Sequence, residues 1–278
     1  MKGTILRRFL RRKISVLGAI VLILFFVVAI FGPMFCSQDP LEQDLVNKYQ
    51  DPSPEHWFGT DYLGRDTFTR MVYGARVSLT LSFSGVITGC AIGVLMGVIA
   101  GYFGGWVDSL ISRIIDILLA FPGLLLAITV VAILGNGTQN TAIAIAIFSI
   151  PSIARMVRGI VMSNKGAEYI QACRVMGASN GRIIFTHIVP NAVSQIIVNI
   201  TLNLGTAILT ASSLSFLGLG VQPPDPEWGA MLSNGRDVIR SYPLAVFIPG
   251  IAITLVVMSF SLVGDGLRDA LDPKLKNS

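Results

Sequence analysis

Charge is what this sequence has least of. Asp, Glu, Lys and Arg make up 13% of its 278 residues, about half the share usual in a water-soluble domain. Histidine is nearly absent: only His56 and His187 occur, far apart in the chain. The three cysteines, Cys36, Cys90 and Cys173, make no CxxC or CxxxH spacing, so neither a zinc site nor a disulfide framework is indicated. HExxH and GxSxG are missing, and so is the GxxxxGK[ST] phosphate loop. GYFGG and GNGTQN lack the lysine and the helix that must follow it. No catalytic residue, metal ligand or cofactor is therefore assigned to this chain, and no nucleic-acid partner is expected. Energy for uphill work would have to come from another chain or from an ion gradient.

What the sequence does have is apolar surface: 53% hydrophobic residues and a mean hydropathy of +0.69. The run Ile14 to Phe31 follows the basic stretch MKGTILRRFLRRK. It is too long for a signal-peptide core and no small-x-small cleavage site follows, so it reads as a retained transmembrane helix. Five more runs reach the ~20 residues needed to span a bilayer, at 78–100, 114–134, 141–160, 191–211 and 244–264. Six spans put both termini on one side. Six Lys and Arg precede the first run, Arg113 follows the second, five fall within 155–187 and three in the tail; only four lie in 32–77 and two in 212–243. The richer face is cytoplasmic by the positive-inside rule. The expected fold class is an all-α polytopic membrane protein in the inner or plasma membrane, with both termini cytoplasmic. Its expected organisation is a first helix with an extracytoplasmic segment (1–76) and a five-helix core (77–278) enclosing a cytoplasmic loop (161–190).

The outer segment 32–77 holds seven acids and four bases. Pro and Gly mark turns up to Gly64; beyond it Phe68, Met71, Val72 and Ala75 fall at helical spacing, which predicts a short interfacial helix before the second span. The loop SLSFLGLGVQPPDPEWGAMLSNGRDVIRSYP is again rich in Gly and Pro. Trp57 and Trp228 fit interfacial anchors or an outer docking surface.

Two stripes run along the spans. Gly85, Gly89, Gly93, Gly97 and Gly101 recur every four residues. In lipid, helices associate by close packing over small residues, so this stripe predicts a tight helix contact, static or sliding. Asn191, Gln195, Asn199 and Asn203 recur at the same step. Buried amides are costly unless paired or wetted; the row fits either a polar translocation path or interhelical hydrogen bonds. Arg113 and Asp116 are spaced to pair at i,i+3, and Asp265 reads as an anchor at the inner edge.

The segment EYIQACRVMGASNGRIIFTHIVPN (168–191) is polar and cytoplasmic. Tyr169, Ala172, Cys173 and Met176 share a helix face; Glu168, Gln171 and Arg174 point elsewhere. Gly177 suits the C′ position that ends the helix, Ala178 follows, and Ser179 or Asn180 can cap a second short helix before Pro190. The face suits docking into a partner's groove or resting on lipid headgroups.

This element resembles the cytoplasmic coupling motif of ABC importer permeases, with Gln171-Ala172-Cys173, Gly177 and Val189-Pro190 in the motif's positions. It departs from the usual pattern in Gln171 for Glu and Cys173 for Ala. HWFGTDYLGRDTFTRMVYGARVSL (56–79), RIIDILLAFPGLLLAI (113–128), SFLGLGVQPPDPEWGAML (215–232) and LVGDGLRDALDP (262–273) resemble the second permease subunit of dipeptide, oligopeptide and nickel importers. The resemblance implies the type I ABC importer permease fold and a heterodimer with a sister permease. It also implies two ATP-binding subunits, which bind ATP and Mg, docked on Glu168, Tyr169, Gln171, Ala172, Cys173, Arg174, Met176, Gly177 and Ala178. An extracytoplasmic binding protein would deliver substrate. Dipeptide or oligopeptide import is the expected activity; nickel or another small solute, and ion-coupled secondary transport, are the alternatives.

Overall fold

The computed structural model describes residues 2–271; Lys274 and Lys276 of the basic tail, with Asp272 and Pro273 of the last motif, lie outside them. The described residues are helical, without a β-sheet. Helix α1 (Lys2–Arg11) turns at Arg12 into α2 (Lys13–Phe31), which is apolar on all sides. An irregular segment leads to α3 (Thr67–Phe103), capped by the Asp66 side chain accepting from Thr69 N. Then come α4 (Gly105–Ala120), α5 (Gly123–Leu134) and α6 (Thr138–Lys165). The short α7 (Glu168–Val175) and α8 (Asn180–Arg182) precede α9 (Val189–Phe216), α10 (Trp228–Gly235) and α11 (Leu244–Leu271).

Five of these helices are long and apolar enough to cross a membrane, and the bent pair α4–α5 makes a sixth if it counts as one span. Three boundaries differ from the sequence expectation. No separate interfacial helix precedes the second span: Phe68 to Ala75 are the first turns of α3, which runs unbroken for 37 residues, about 55 Å. The run 114–134 is not one straight helix; α4 and α5 meet at 96°. The break falls at Phe121-Pro122, where proline disfavours the helical conformation of the residue before it and offers no N–H. The second cytoplasmic helix does not stop before Pro190 either. A π-helical turn, Ile183–Ile188, joins α8 directly to α9. This wider turn lies just ahead of Pro190, whose ring would press on the carbonyl four residues back in a tight α-turn.

The main seam lies between α3 and α6. A Cβ on Gly85, Gly89, Gly93, Gly97 or Gly101 would stand within 2.5–2.9 Å of α6 atoms. On the facing side Ile145, Ser149, Ile153, Val157 and Val161 recur at the same four-residue step. The glycines are therefore close-packed against α6 throughout their length, and the backbones approach over them as small-residue interfaces in lipid require. A second core joins α2, α3, α9, α10 and α11 around Trp228, Ile208 and Val256, all fully buried.

Candidate functional site

Helix α7 is held by its buried Ile170, which packs with Val157, Val161, Ile183 and Ile188. Its end is a Schellman motif: Gly177, at φ +81, donates to Arg174 O (2.9 Å) and Ala178 N to Cys173 O (3.0 Å). Ser179 then caps the next turn, and Tyr102 at the end of α3 donates to Asn180 Oδ1 at 2.7 Å. Arg174 lies over the Tyr102 ring, 5.6 Å from its centroid. The element is thus fastened to the cytoplasmic ends of α3 and α6. The shared face read from sequence divides here. Cys173 is half-buried, its Sγ 3.7 Å from His187 Nε2, while Tyr169, Ala172 and Met176 are exposed. Val175 and Met176 are the outermost apolar side chains, at 89% and 77% exposure. Glu168 is exposed at the first turn, and Gln171 turns back to Gly166 O at 3.1 Å. Ile170 carries the docking of α7 onto its own chain; the sequence reading passed over it, and nothing in the spacing of the helix set it apart.

The amide row emerges from the same corner. Asn191 Nδ2 donates to Tyr169 Oη (3.1 Å) and to His187 O (2.9 Å), so the row's inner end is bonded to α7. Asn191 and Gln195 are exposed, while Asn199 and Asn203 are half-buried. Asn203 Nδ2 donates to Asn199 Oδ1 at 2.6 Å. The bond from Asn191 to Tyr169 joins two helices, whereas those of Asn203 stay within α9.

The charged residues pair differently from the local expectation. Asp116 meets Arg155 of α6 at 2.5 Å, not Arg113, which is exposed. Asp108 holds Arg158 in a two-point contact at 2.5 and 2.7 Å. Packing of α4 on α6 brings these cross-helix partners closer than the i,i+3 neighbour. At the inner edge Asp265 is exposed, and the ion pair there joins Asp269 to Arg12.

On the outer side, Asp61 binds Arg65 (2.7 Å) and lies 3.4 Å from Arg70, and Tyr49 stacks on Tyr242 at 4.5 Å. The ion pairs brace the first outer segment, and the tyrosine stack ties it to the second. Trp57 is exposed beside Phe68, but Trp228 is no interfacial anchor. It is fully buried and donates to Met71 O at 3.1 Å. Beside it lies a residue the sequence reading passed over. Glu227 is fully buried, caps α10 by accepting from Ala230 N (2.8 Å), and meets Ser78 of α3 (3.1 Å) and Ser212 of α9 (3.4 Å). Burial pushes its carboxyl above the usual carboxylate range. An acid directly before the apolar helical run WGAML was the available signal.

Residues 93–277 match the family described as binding-protein-dependent transport system inner membrane component. Residues 3–52 match the N-terminal transmembrane domain of oligopeptide transport permease C. The dipeptide transport system permease protein DppC of Alkalihalophilus pseudofirmus is 52% identical over 267 residues, 96% of this chain and 88% of that protein. The glutathione transport system permease protein GsiD of Escherichia coli O6:K15:H31 is 52% identical over 272 residues, 97% of this chain and 89% of that one. Among solved structures, a chain of the MetNI methionine ABC transporter in an inward facing conformation superposes with a TM-score of 0.60 at 19% identity. It covers 73% of this chain and 97% of its own. A chain of an amino acid ABC transporter reaches 0.55 at 16%, covering 71% and 92%. These two likenesses establish the fold, that of ABC importer permeases.

Proposed function

The chain belongs to the family of binding-protein-dependent transport system inner membrane components, and from that premise we propose that it forms one half of a peptide translocation path. It is the permease component of an ABC importer in the inner membrane, a transport subunit rather than an enzyme. A system of this kind includes an ATPase, a binding protein and a sister permease. In our reading the two permeases form a heterodimer over two ATP-binding subunits. ATP and Mg bind in those subunits, and the binding protein hands substrate to the outer face. The substrate is a dipeptide or oligopeptide, with glutathione inside the same class.

The observation that carries this reading is 52% identity, over nearly the whole chain, to permeases named for dipeptide and for glutathione transport. The amide row adds a physical reason. A peptide presents N–H and C=O groups together, and Asn and Gln side chains offer both donor and acceptor without fixing a charge. The test is uptake of a labelled dipeptide by the complete importer in proteoliposomes. Asn199→Leu is expected to lower uptake by about tenfold or more, as the loss of one to two substrate hydrogen bonds would, with the complex still assembled. Unaltered uptake by that variant would take the amide row out of the path, and nickel accumulating in place of peptide would sink the reading. So would uptake that survives ATP depletion with an intact ion gradient.

Glu168 to Ala178 form the element we assign to ATPase docking. Its support is the pairing of a rigidly held helix with exposed apolar Val175 and Met176, a combination suited to a partner's groove. A cysteine at Met176 is expected to cross-link to a co-expressed ATPase subunit, and the yield to change when ATP is added. Reaction with membrane-headgroup reagents in the assembled complex, with no ATPase adduct, would refute the assignment.

A further inference from the structure

The outer half of α3 carries a polar row that the packing of the chain leaves open. Arg76, Thr80, Ser84 and Thr88 recur every four residues and all are exposed, about 100° round the helix from the glycine seam. They line a groove of about 580 Å³ whose other wall is Phe26, Ala29 and Ile30 of α2. Phe83 and Ile87 add apolar surface below Arg76.

The depth of Arg76 follows from its neighbours. Gly32, just past the end of α2, lies so close to Val72 that a Cβ on it would stand 2.5 Å from the valine side chain. Val72 is one turn outside Arg76, so Arg76 begins about 6 Å inside the level where the apolar α2 ends. Among the described residues its guanidinium makes no hydrogen bond or ion pair. A charge at that depth is costly unless it finds an anion or reaches toward the headgroups. The anion available there is the lipid phosphodiester, which a guanidinium binds through two N–H groups at once.

The order of groups along the groove continues the match. One turn below the cation lies the Thr80 hydroxyl, at the level of glycerol esters. The Ser84 hydroxyl already donates to Leu81 O at 2.9 Å; Thr80 is the nearest hydroxyl to Arg76 without such a bond, and Thr88 lies about two turns further in. Deeper still come the aromatic and aliphatic side chains. Cation outermost, hydroxyl next, and below them Leu79, Phe83 and Ile87 facing Phe26 and Ile30, with Ser84 bonded within its own helix and Thr88 at the inner end, follow the order of groups in a diacyl lipid. We propose that the α2–α3 groove binds one outer-leaflet phospholipid, its phosphodiester on Arg76, an ester at Thr80 and an acyl chain along Phe26, Phe83 and Ile87.

The test uses the complete importer in nanodiscs of phosphatidylglycerol and phosphatidylethanolamine in equal parts, extracted with mild detergent and weighed by native mass spectrometry. Wild type is expected to retain a bound phospholipid whose occupancy Arg76→Gln lowers about tenfold, the effect of losing one charge-assisted contact. A photo-cross-linking amino acid at position 87 is expected to give an adduct of phospholipid mass. Equal lipid retention by Arg76→Gln, or an adduct with a sister-permease peptide, overturns the proposal. Neither readout depends on which solute is carried, so a failure here is separate from a failure of the peptide reading.

Discussion

Gly89→Ala is expected to destabilise the permease by roughly 1–3 kcal/mol, the range for overpacking a close-packed interior, and Gly89→Leu to leave no folded protein to purify. The new Cβ would stand 2.5 Å from the carbonyl oxygen of Ala146 and 2.9 Å from Ser149 Cβ. Neither atom is the end of a flexible side chain, so α6 itself has to move. The move cannot stay local. Gly85, Gly93, Gly97 and Gly101 hold α6 at the same distance along more than four turns, and Gly97 would meet Ala154 O at 2.6 Å. Gly159 supplies the control. It lies in α6, exposed, with nothing within 4 Å of its would-be Cβ. Gly159→Ala is expected to be neutral or to stabilise by up to about 1 kcal/mol, the helix-propensity difference. Thermal unfolding of the purified complex compares wild type, Gly89→Ala and Gly159→Ala. A midpoint for Gly89→Ala equal to wild type would show that the seam is loose enough to take a methyl, and the account of α3–α6 packing would be wrong.

The seam also shows what a single sequence carries. A four-residue glycine period is visible without any structure, because it needs only the helical repeat and the rule that backbones approach over small residues. The partner is not visible, since Ile145, Ser149, Ile153 and Val157 look like any membrane-spanning set until α3 lies against them. The spans at 14–31, 141–160, 191–211 and 244–264 were legible from apolar length alone. The 96° bend was not, because hydropathy is blind to direction; only Phe121-Pro122-Gly123 marked it. The pairing of Asp116 shows the same limit, because a local spacing rule offered Arg113 while the tertiary contact of α4 with α6 supplied Arg155. In the cytoplasmic element, Gly177 was readable as the helix end since a positive φ favours glycine. The burial of Ile170 was not, because it depends on where α3 and α6 terminate. The outer loop was the least legible part. Its Gly and Pro content reads as exposed, yet Glu227 and Trp228 are wholly buried in the cleft between α3 and α9.

That cleft sets the second large effect. Glu227→Ala is expected to destabilise by about 3–5 kcal/mol, since it combines a buried cavity with stranded partners. Ser212 Oγ and Ala230 N lose their acceptor, Ser78 keeps only Trp228 N at 3.3 Å, and α10 loses its cap. Glu227→Gln keeps the shape: its carbonyl can accept from Ala230 N and its amide can donate to a serine hydroxyl. The two forms separate by pH. Burial raises the carboxyl's pKa in the folded protein, so the native state binds this proton more tightly than the unfolded chain. Stability from this group is therefore complete below the unfolded value of about 4.3 and falls as pH rises through the higher folded value. Glutamine has no proton to lose, so Glu227→Gln is expected to flatten the decline of the melting midpoint on the alkaline side and to match or exceed wild type there. Parallel pH profiles for the two proteins would mean that Glu227 is ionised where it lies. In that case an unseen cation or water path would have to reach a side chain that the packing of Trp228, Ser78 and Ser212 closes off.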